Sequence, residues 1–234
     1  MTDKPIVVVT GVGPGTGTAI VRRFASGGFR VIALARSADR IGALEKELPD
    51  VHAMPCDVSD RGQVASAMAS VRKLYGTPGV LVHNAVGGGW GSFLEIDPDM
   101  LEKNFQVNVM GLLYLARELA PAMIEAGEGA ILVTGNTSSI RGKANFAGFA
   151  PTKAAQRILA ESIARELGPR GIHVAYVLID AVIDVPRMRQ RMPDAKDEFF
   201  IKPSAIAEEL WHLYRQDRSA WSFLTELRPF GEKW

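Results

Sequence analysis

The sequence predicts an α/β protein built on a doubly wound parallel sheet of about seven strands with helices on both faces. Three observations carry that expectation. Short, β-branched runs recur along the chain, longer stretches of helical period lie between them, and the two alternate throughout. The runs are apolar on both faces, as strands buried on both sides of a parallel sheet must be, and right-handed crossovers between them put helices on each side.

The first strand is Ile6-Val7-Val8-Val9, and after a glycine-rich turn comes a helix over Thr16–Ser26 with Ile20 and Phe24 directed inward. Val31-Ile32-Ala33-Leu34 is the second strand and Val51-His52-Ala53-Met54 a weaker third. A helix over 60–74 follows, capped by Ser59 or Asp60, with Val64, Ala67, Met68 and Val71 on one face. Val80-Leu81-Val82, Ala130-Ile131-Leu132-Val133 and His173-Val174-Ala175-Tyr176-Val177-Leu178 continue the strand series. Long helices are expected over Pro98–Ala126 and 152–167, and a further one over Pro203–Tyr214 opens with proline in its first turn. Segment 221–227 reads as a seventh strand at the sheet edge. Residues 184–202 break the rhythm: charged, with Pro186 and Pro193 and ending near Phe199-Phe200-Ile201, they predict a mobile flap over the site.

With 234 residues, 47% of them hydrophobic, one core is expected and residues 1–234 form one domain. Lysine and arginine number 27 against 26 acids, so a net charge of +1 gives no electrostatic reason for a nucleic-acid or membrane partner. The expected partner is a small molecule or another subunit. Cys56 is the only cysteine, which excludes an internal disulfide and offers no metal-ligand spacing, so no metal site is predicted. The N-terminus runs into a strand without a long apolar leader, and a cytoplasmic location is expected.

Between the first strand and first helix stands Thr10-Gly11-Val12-Gly13-Pro14-Gly15-Thr16-Gly17. Glycines here permit a tight turn and let backbone N–H groups approach a pyrophosphate at a helix N-terminus, which marks a dinucleotide site in this strand–turn–helix context. At the end of the second strand, Leu34-Ala35-Arg36-Ser37 carries no acid to hold a ribose hydroxyl, whereas Arg36 offers a planar bidentate partner for a 2′-phosphate with Ser37 and Arg40 nearby. NADP(H) is therefore favoured over NAD(H). The alternative is that Arg36 and Arg40 are solvated surface cations.

The spacing of Gly11, Gly15 and Gly17 resembles the TGxxxGxG signature of short-chain dehydrogenases/reductases, a Rossmann-like family. Asp57-Val58, His83-Asn84-Ala85, Asn108 and Lys153 fall in the order that family requires, and the resemblance covers nearly the whole chain. It implies that Gly11, Gly13, Gly15, Thr16 and Gly17 hold the pyrophosphate and that Asp57 and Val58 flank the adenine. Asn84, Ala85, Lys153 and Val182 then line the nicotinamide end, and Asn108 sits near a bound water. His83 and Val86 depart from the family's NNAG pattern, and His83 is read as a structural variant.

The same resemblance places a Tyr-x-x-x-Lys pair and a preceding serine at the reactive centre. Lys153 fixes the register, which puts Phe149 at the tyrosine position and Asn136 at the serine position. Reducing a carbonyl by hydride needs a proton for the developing alkoxide, and phenylalanine has none to give. Asn136 can still donate an amide hydrogen bond to a substrate oxygen. Three readings stay open. The chain is an oxidoreductase in which Lys153, a water or a hydroxyl of Thr137, Ser138 or Ser139 replaces the tyrosine, on a substrate such as an activated double bond; or it binds NADP(H) without turnover as a sensor or partner subunit; or Lys153 only holds the ribose and a flap group reacts. Asp180, where the family has glycine, is either an acid–base group or a loop aspartate bonded to its surroundings. Trp90 closes over a substrate ring or packs on the flap. Phe146 and Phe149 are expected to face the substrate space, and Tyr114 and Tyr176 the core. Apolar residues on several faces of the two long helices, with the helix packing of the family, imply a homodimer or homotetramer.

Overall fold

A computed structural model describes residues 4–37 and 39–232, without the side chains of residues 39 and 40, so the side chain of Arg40 and all of Trp234 lie outside the described residues. The chain alternates β1 (Ile6–Thr10), α1 (Thr16–Ser26), β2 (Arg30–Ala35), α2 (Asp39–Glu47), β3 (Val51–Pro55), α3 (Arg61–Leu74) and β4 (Val80–His83). It continues with α4 (Pro98–Phe105), α5 (Gly111–Ala126), β5 (Gly129–Asn136), α6 (Ala150–Leu167) and β6 (Ile172–Ile179). β7 (Val182–Ile183), α7 (Pro186–Arg191), β8 (Phe200–Ile201), α8 (Pro203–Tyr214) and β9 (Leu224–Leu227) complete it.

Seven strands form one parallel sheet in the order β3-β2-β1-β4-β5-β6-β9. The chain winds outward from β1 to β3, then restarts beside β1 with β4 and winds the other way. That reversal opens a crevice at the carboxyl ends of β1 and β4, where open α/β sheets bind ligands. Alternating strand residues feed two cores. Val8, Leu81, Val133 and Tyr176 pack with Leu112, Leu115 and Ala160 of α5 and α6. Val7, Val82, Leu132 and Val177 pack with Ile20 and Phe24 of α1 and Leu210 of α8.

Asp60 caps α3 by accepting from Gly62 N at 2.8 Å and Gln63 N at 3.0 Å, satisfying N–H groups that the helix itself leaves unpaired. The expected 98–126 helix is continuous in space but broken in pitch. A π-turn at Gln106–Met110 separates α4 from α5, with Gly111 N bonded to the carbonyl of Gln106. This Pro98–Ala126 stretch is long and apolar enough by composition to cross a membrane, but its stripe of Leu112, Leu115, Leu119 and Met123 is buried against the sheet.

Two parts of the fold lie outside the sequence expectations. α2 is absent from the sequence expectations; it buries Ile41 and Leu44 against the sheet. The 184–202 segment has structure of its own, a small parallel pair of β7 and β8 with α7 between them. Arg189 ties it together: it bonds both carboxylate oxygens of Asp184 at 2.7 and 2.9 Å, reaches Asp197 at 2.6 Å, and lies 4.1 Å over the ring of Phe200.

Candidate active site

The crevice is closed at its floor by one hydroxyl. Thr10 Oγ1, at the end of β1, accepts the backbone N–H groups of Asn84 and Ala85, each at 3.1 Å, and so clamps β1 to β4 at the reversal point. Gly11 follows at φ +66°, where a side chain is strained, and a Cβ there would lie 2.6 Å from Asn84 O and the backbone of Ala85. A Cβ on Gly17 would lie 2.5 Å from Gly11 O. These two glycines are therefore required by close backbone approach, whereas Gly13 faces open space. Gly15 precedes α1 at φ +125° and no side chain caps the helix. The Thr16 hydroxyl at its first position is buried with no hydrogen-bond partner among the described residues.

Arg36 emerges from the end of β2 into solvent and makes no ion pair among the described residues; Ser37 beside it is half-buried. Asp57 turns its carboxylate back onto Ser59, accepting from N at 3.0 Å and Oγ at 2.6 Å. Val58 is buried against Gly111 of α5. Asn84 braces the sheet: its Nδ2 donates to Gly11 O at 3.0 Å and its Oδ1 accepts from Thr134 Oγ1 at 3.0 Å, joining β1, β4 and β5.

Lys153, in the second turn of α6, is 3% exposed. Its Nζ donates to Thr134 O at 3.1 Å and to Gln156 Oε1, and burial pushes its pKa down to about 7. Asn108 lies in the π-turn. Its side chain spans Gly87 and α6, accepting from Gly87 N at 2.8 Å and donating to Gly87 O at 2.9 Å and Thr152 Oγ1 at 2.8 Å. Beneath them, His83 is fully buried; Thr10 Oγ1, already accepting two N–H groups, gives its own proton to His83 Nδ1 at 3.3 Å. The proton of the neutral ring is then on Nε2, which has no partner among the described residues. Burial, and secondarily the charge of Lys153, push the pKa of His83 down to about 3.

Asn136 ends β5. Its Oδ1 accepts from Ser138 N at 3.1 Å, and its amide NH2 has no hydrogen-bond partner among the described residues. Phe149, at the start of α6, is 4% exposed, packed under Trp90 at a centroid distance of 5.5 Å. Trp90 also meets Phe146 edge-on at 6.5 Å, so the glycine loop after β4 packs on the approach to α6 and not on the flap. Phe146 lines a groove of about 560 Å³ with Phe93, Ile140, Arg141 and Arg157, and Phe149 is not among its walls. Asp180 is held by Arg228 at 2.5 Å, with Arg141 at 3.9 Å, which fits a structural aspartate. Val182 lies in β7 opposite Phe200. Val185 approaches the phosphate loop, its Cγ1 2.8 Å from where a Gly15 side chain would begin. The tail folds back on its own chain through Gly231 N to Glu198 O at 3.2 Å, while Phe230 stays 91% exposed.

One connected set of hydrogen bonds thus unites Gly11, Asn84, Thr134, Lys153 and Asn108. Arg36, Ser37, Asp57 and Val58 stand apart from it, after β2 and β3. The sequence assigns Thr152 and Gln156 no role, Thr10 only a place at the head of the glycine turn, and His83 only the place of a variant. Gln156 carried a signal: it lies three residues after Lys153, on the same helical face.

A sequence profile described as short chain dehydrogenase matches residues 5–195. The D-erythrulose reductase of Gallus gallus is 32% identical over 171 residues, 73% of this chain and 68% of that protein. A short-chain dehydrogenase structure from Rhodopseudomonas palustris superposes with TM-score 0.83 at 30% identity, over 97% of this chain and 99% of the other. A metagenomic short-chain oxidoreductase in complex with NADP superposes with TM-score 0.84 at 28% identity, over 97% and 98%.

Proposed function

This chain belongs to the short-chain dehydrogenase family, and from that premise we propose that it is an NADP(H)-dependent oxidoreductase acting on a small molecule, with an altered proton-donating site. The observation that carries the reading is the approach of Gly11 to Asn84 and Ala85 across the sheet reversal, a cradle that any side chain would fill. The fit of a dinucleotide is supported by the uncapped start of α1 and by the buried Thr16 hydroxyl, which lacks a partner of its own. Gly11, Gly13, Gly15, Thr16 and Gly17 hold the pyrophosphate, Arg36 and Ser37 the 2′-phosphate, Asp57 and Val58 the adenine, and Asn84, Ala85, Lys153 and Val182 the nicotinamide end. When bound, the nicotinamide supplies or accepts the hydride.

Phe149 and Asn136 stand at the family's tyrosine and serine positions. Asn136 orients a substrate oxygen through its NH2 group. Phe149 delivers no proton, so Lys153, a water or a hydroxyl of Thr137, Ser138 or Ser139 is left to do so. Lys153 suits that task, because a pKa of about 7 leaves it partly protonated at neutral pH. Substrates that need little acid assistance, such as an activated double bond, fit the site best. The named activity of the chicken relative, reduction of a small sugar ketone, makes short polyhydroxy ketones the second class to assay. The exposed Phe105 and Ile158 on the helices outside the sheet support assembly as a homodimer or homotetramer.

Fluorescence titration with NADPH and NADH tests the cofactor assignment. NADPH is expected to bind about tenfold more tightly than NADH, and Arg36→Ala is expected to remove that difference, about 1.4 kcal/mol. Failure of both nucleotides to bind overturns the proposal. Binding without hydride transfer to any carbonyl or enone leaves a nucleotide-responsive partner protein.

A further inference from the structure

The lysine of the site is held from behind by a bridge made of one side chain. Gln156 is fully buried, one turn after Lys153 on α6. Its Oε1 accepts from Lys153 Nζ, and its Nε2 donates to the main-chain carbonyl of Asn108 at 2.7 Å. That carbonyl lies inside the π-turn Gln106–Met110, where the regular helical pairing is displaced. The two ends of one carboxamide therefore join the ammonium group to the irregular turn of the neighbouring helix.

We propose that Gln156 is a positioning residue, its carboxamide fixing Lys153 between Thr134 and the Asn108 carbonyl and closing the space through which solvent would otherwise reach the lysine from that side. The functional consequence rests on the reading of Lys153 as a site residue; the bridge itself is a property of the chain without nucleotide. Protons then reach Lys153 only from the crevice. Two neutral acceptors meet the amine, the carbonyl of Thr134 from β5 and Gln156 Oε1 from its own helix, and the Asn108 carbonyl of the π-turn joins through the Gln156 amide. The titratable group that faces it is His83 of β4, neutral over the range tested below because its pKa is about 3.

The test reads the bridge through the pH dependence of stability in the absence of nucleotide. Unfolded lysine holds its proton up to its ordinary pKa of 10.5, whereas buried Lys153 gives it up near 7. Between those values the unfolded state binds more protons, so this group makes stability rise with pH. Gln156→Met keeps the length and removes both bonds, and the onset of the rise is expected to move down by about one pH unit. Gln156→Glu keeps an acceptor for Lys153 and adds opposite charge, and the onset is expected to move up by about one unit or more. Lys153→Met should abolish this part of the profile. Shifts of opposite sign support the bridge. No shift, shifts of the same sign, or a Lys153→Met profile identical to wild type overturn it. Comparing the three variants by urea unfolding at each pH keeps a general loss of stability apart from a moved onset. A wild type that fails to bind NADPH sinks the cofactor assignment and leaves this test standing.

Discussion

The indole of Trp90 lies 5.5 Å from the ring of Phe149, tilted by 37°, and the ring beneath is 4% exposed although Trp90 itself is 62% exposed. The glycine loop after β4 therefore acts as a cover for the start of α6. Gly91 N bonds Asn145 O at 2.9 Å, which ties the loop to the segment before α6, and Asn104 Nδ2 of α4 bonds Gly148 O of the same segment at 2.8 Å. Replacing Trp90 with alanine is expected to cost about 0.5–1.5 kcal/mol through the lost ring pair, and to expose Phe149. Calorimetry reads the first effect and quenching of the remaining tryptophans serves as a control for wider change. An unchanged Tm contradicts the cover.

Phe149→Tyr adds one hydroxyl in the turn that precedes Lys153. NADPH-dependent reduction of a simple ketone is expected to rise by on the order of 100-fold, the usual contribution of a placed general acid. Steady-state assay of both proteins on one ketone panel decides it. Equal rates on every ketone mean that Phe149 does not stand where a proton is delivered.

Asp180 is paired with Arg228, which fits a structural role. Asp180→Ala removes the 2.5 Å partner of Arg228, both side chains being about 15% exposed, while Glu226 remains beside the arginine. The expected loss is about 1–3 kcal/mol in urea unfolding, with NADPH affinity unchanged. A variant of normal stability that has lost hydride transfer would instead make Asp180 the acid or base.

His83 makes the fold sensitive to acid. Its ring takes up a proton near 6.5 when unfolded and only near 3 when folded, so the unfolded state binds more protons between those values. Its contribution is fully present above pH 6.5 and is lost as pH falls toward 3, by up to about 1.4 kcal/mol per pH unit. His83→Asn should flatten that part of the curve. Subtracting the variant from wild type isolates His83 from His173, which burial also pushes below its ordinary value.

The sequence by itself determined the sheet. Apolar runs such as Ile6-Val7-Val8-Val9 have no face that tolerates water, so they can only be buried parallel strands, and the glycines after β1 mark a turn where backbone approaches backbone. It also singled out Asn84, Asn108 and Lys153, through the resemblance of the motifs around them to those of the short-chain family. What it left open depends on contacts between segments far apart in the chain. The partner that holds Asp180 is Arg228, 48 residues later, and Trp90, read from the sequence as closing over a substrate ring or packing on the flap, instead meets Phe146 and Phe149 before α6. The bond from Gln156 to Asn108 crosses 48 residues and ends on a carbonyl released by a π-turn, which local propensity does not encode. Hydrophobic periodicity reports which face of an element is buried. Only the packed structure decides which polar groups meet there, since each buried donor must find its acceptor in three dimensions.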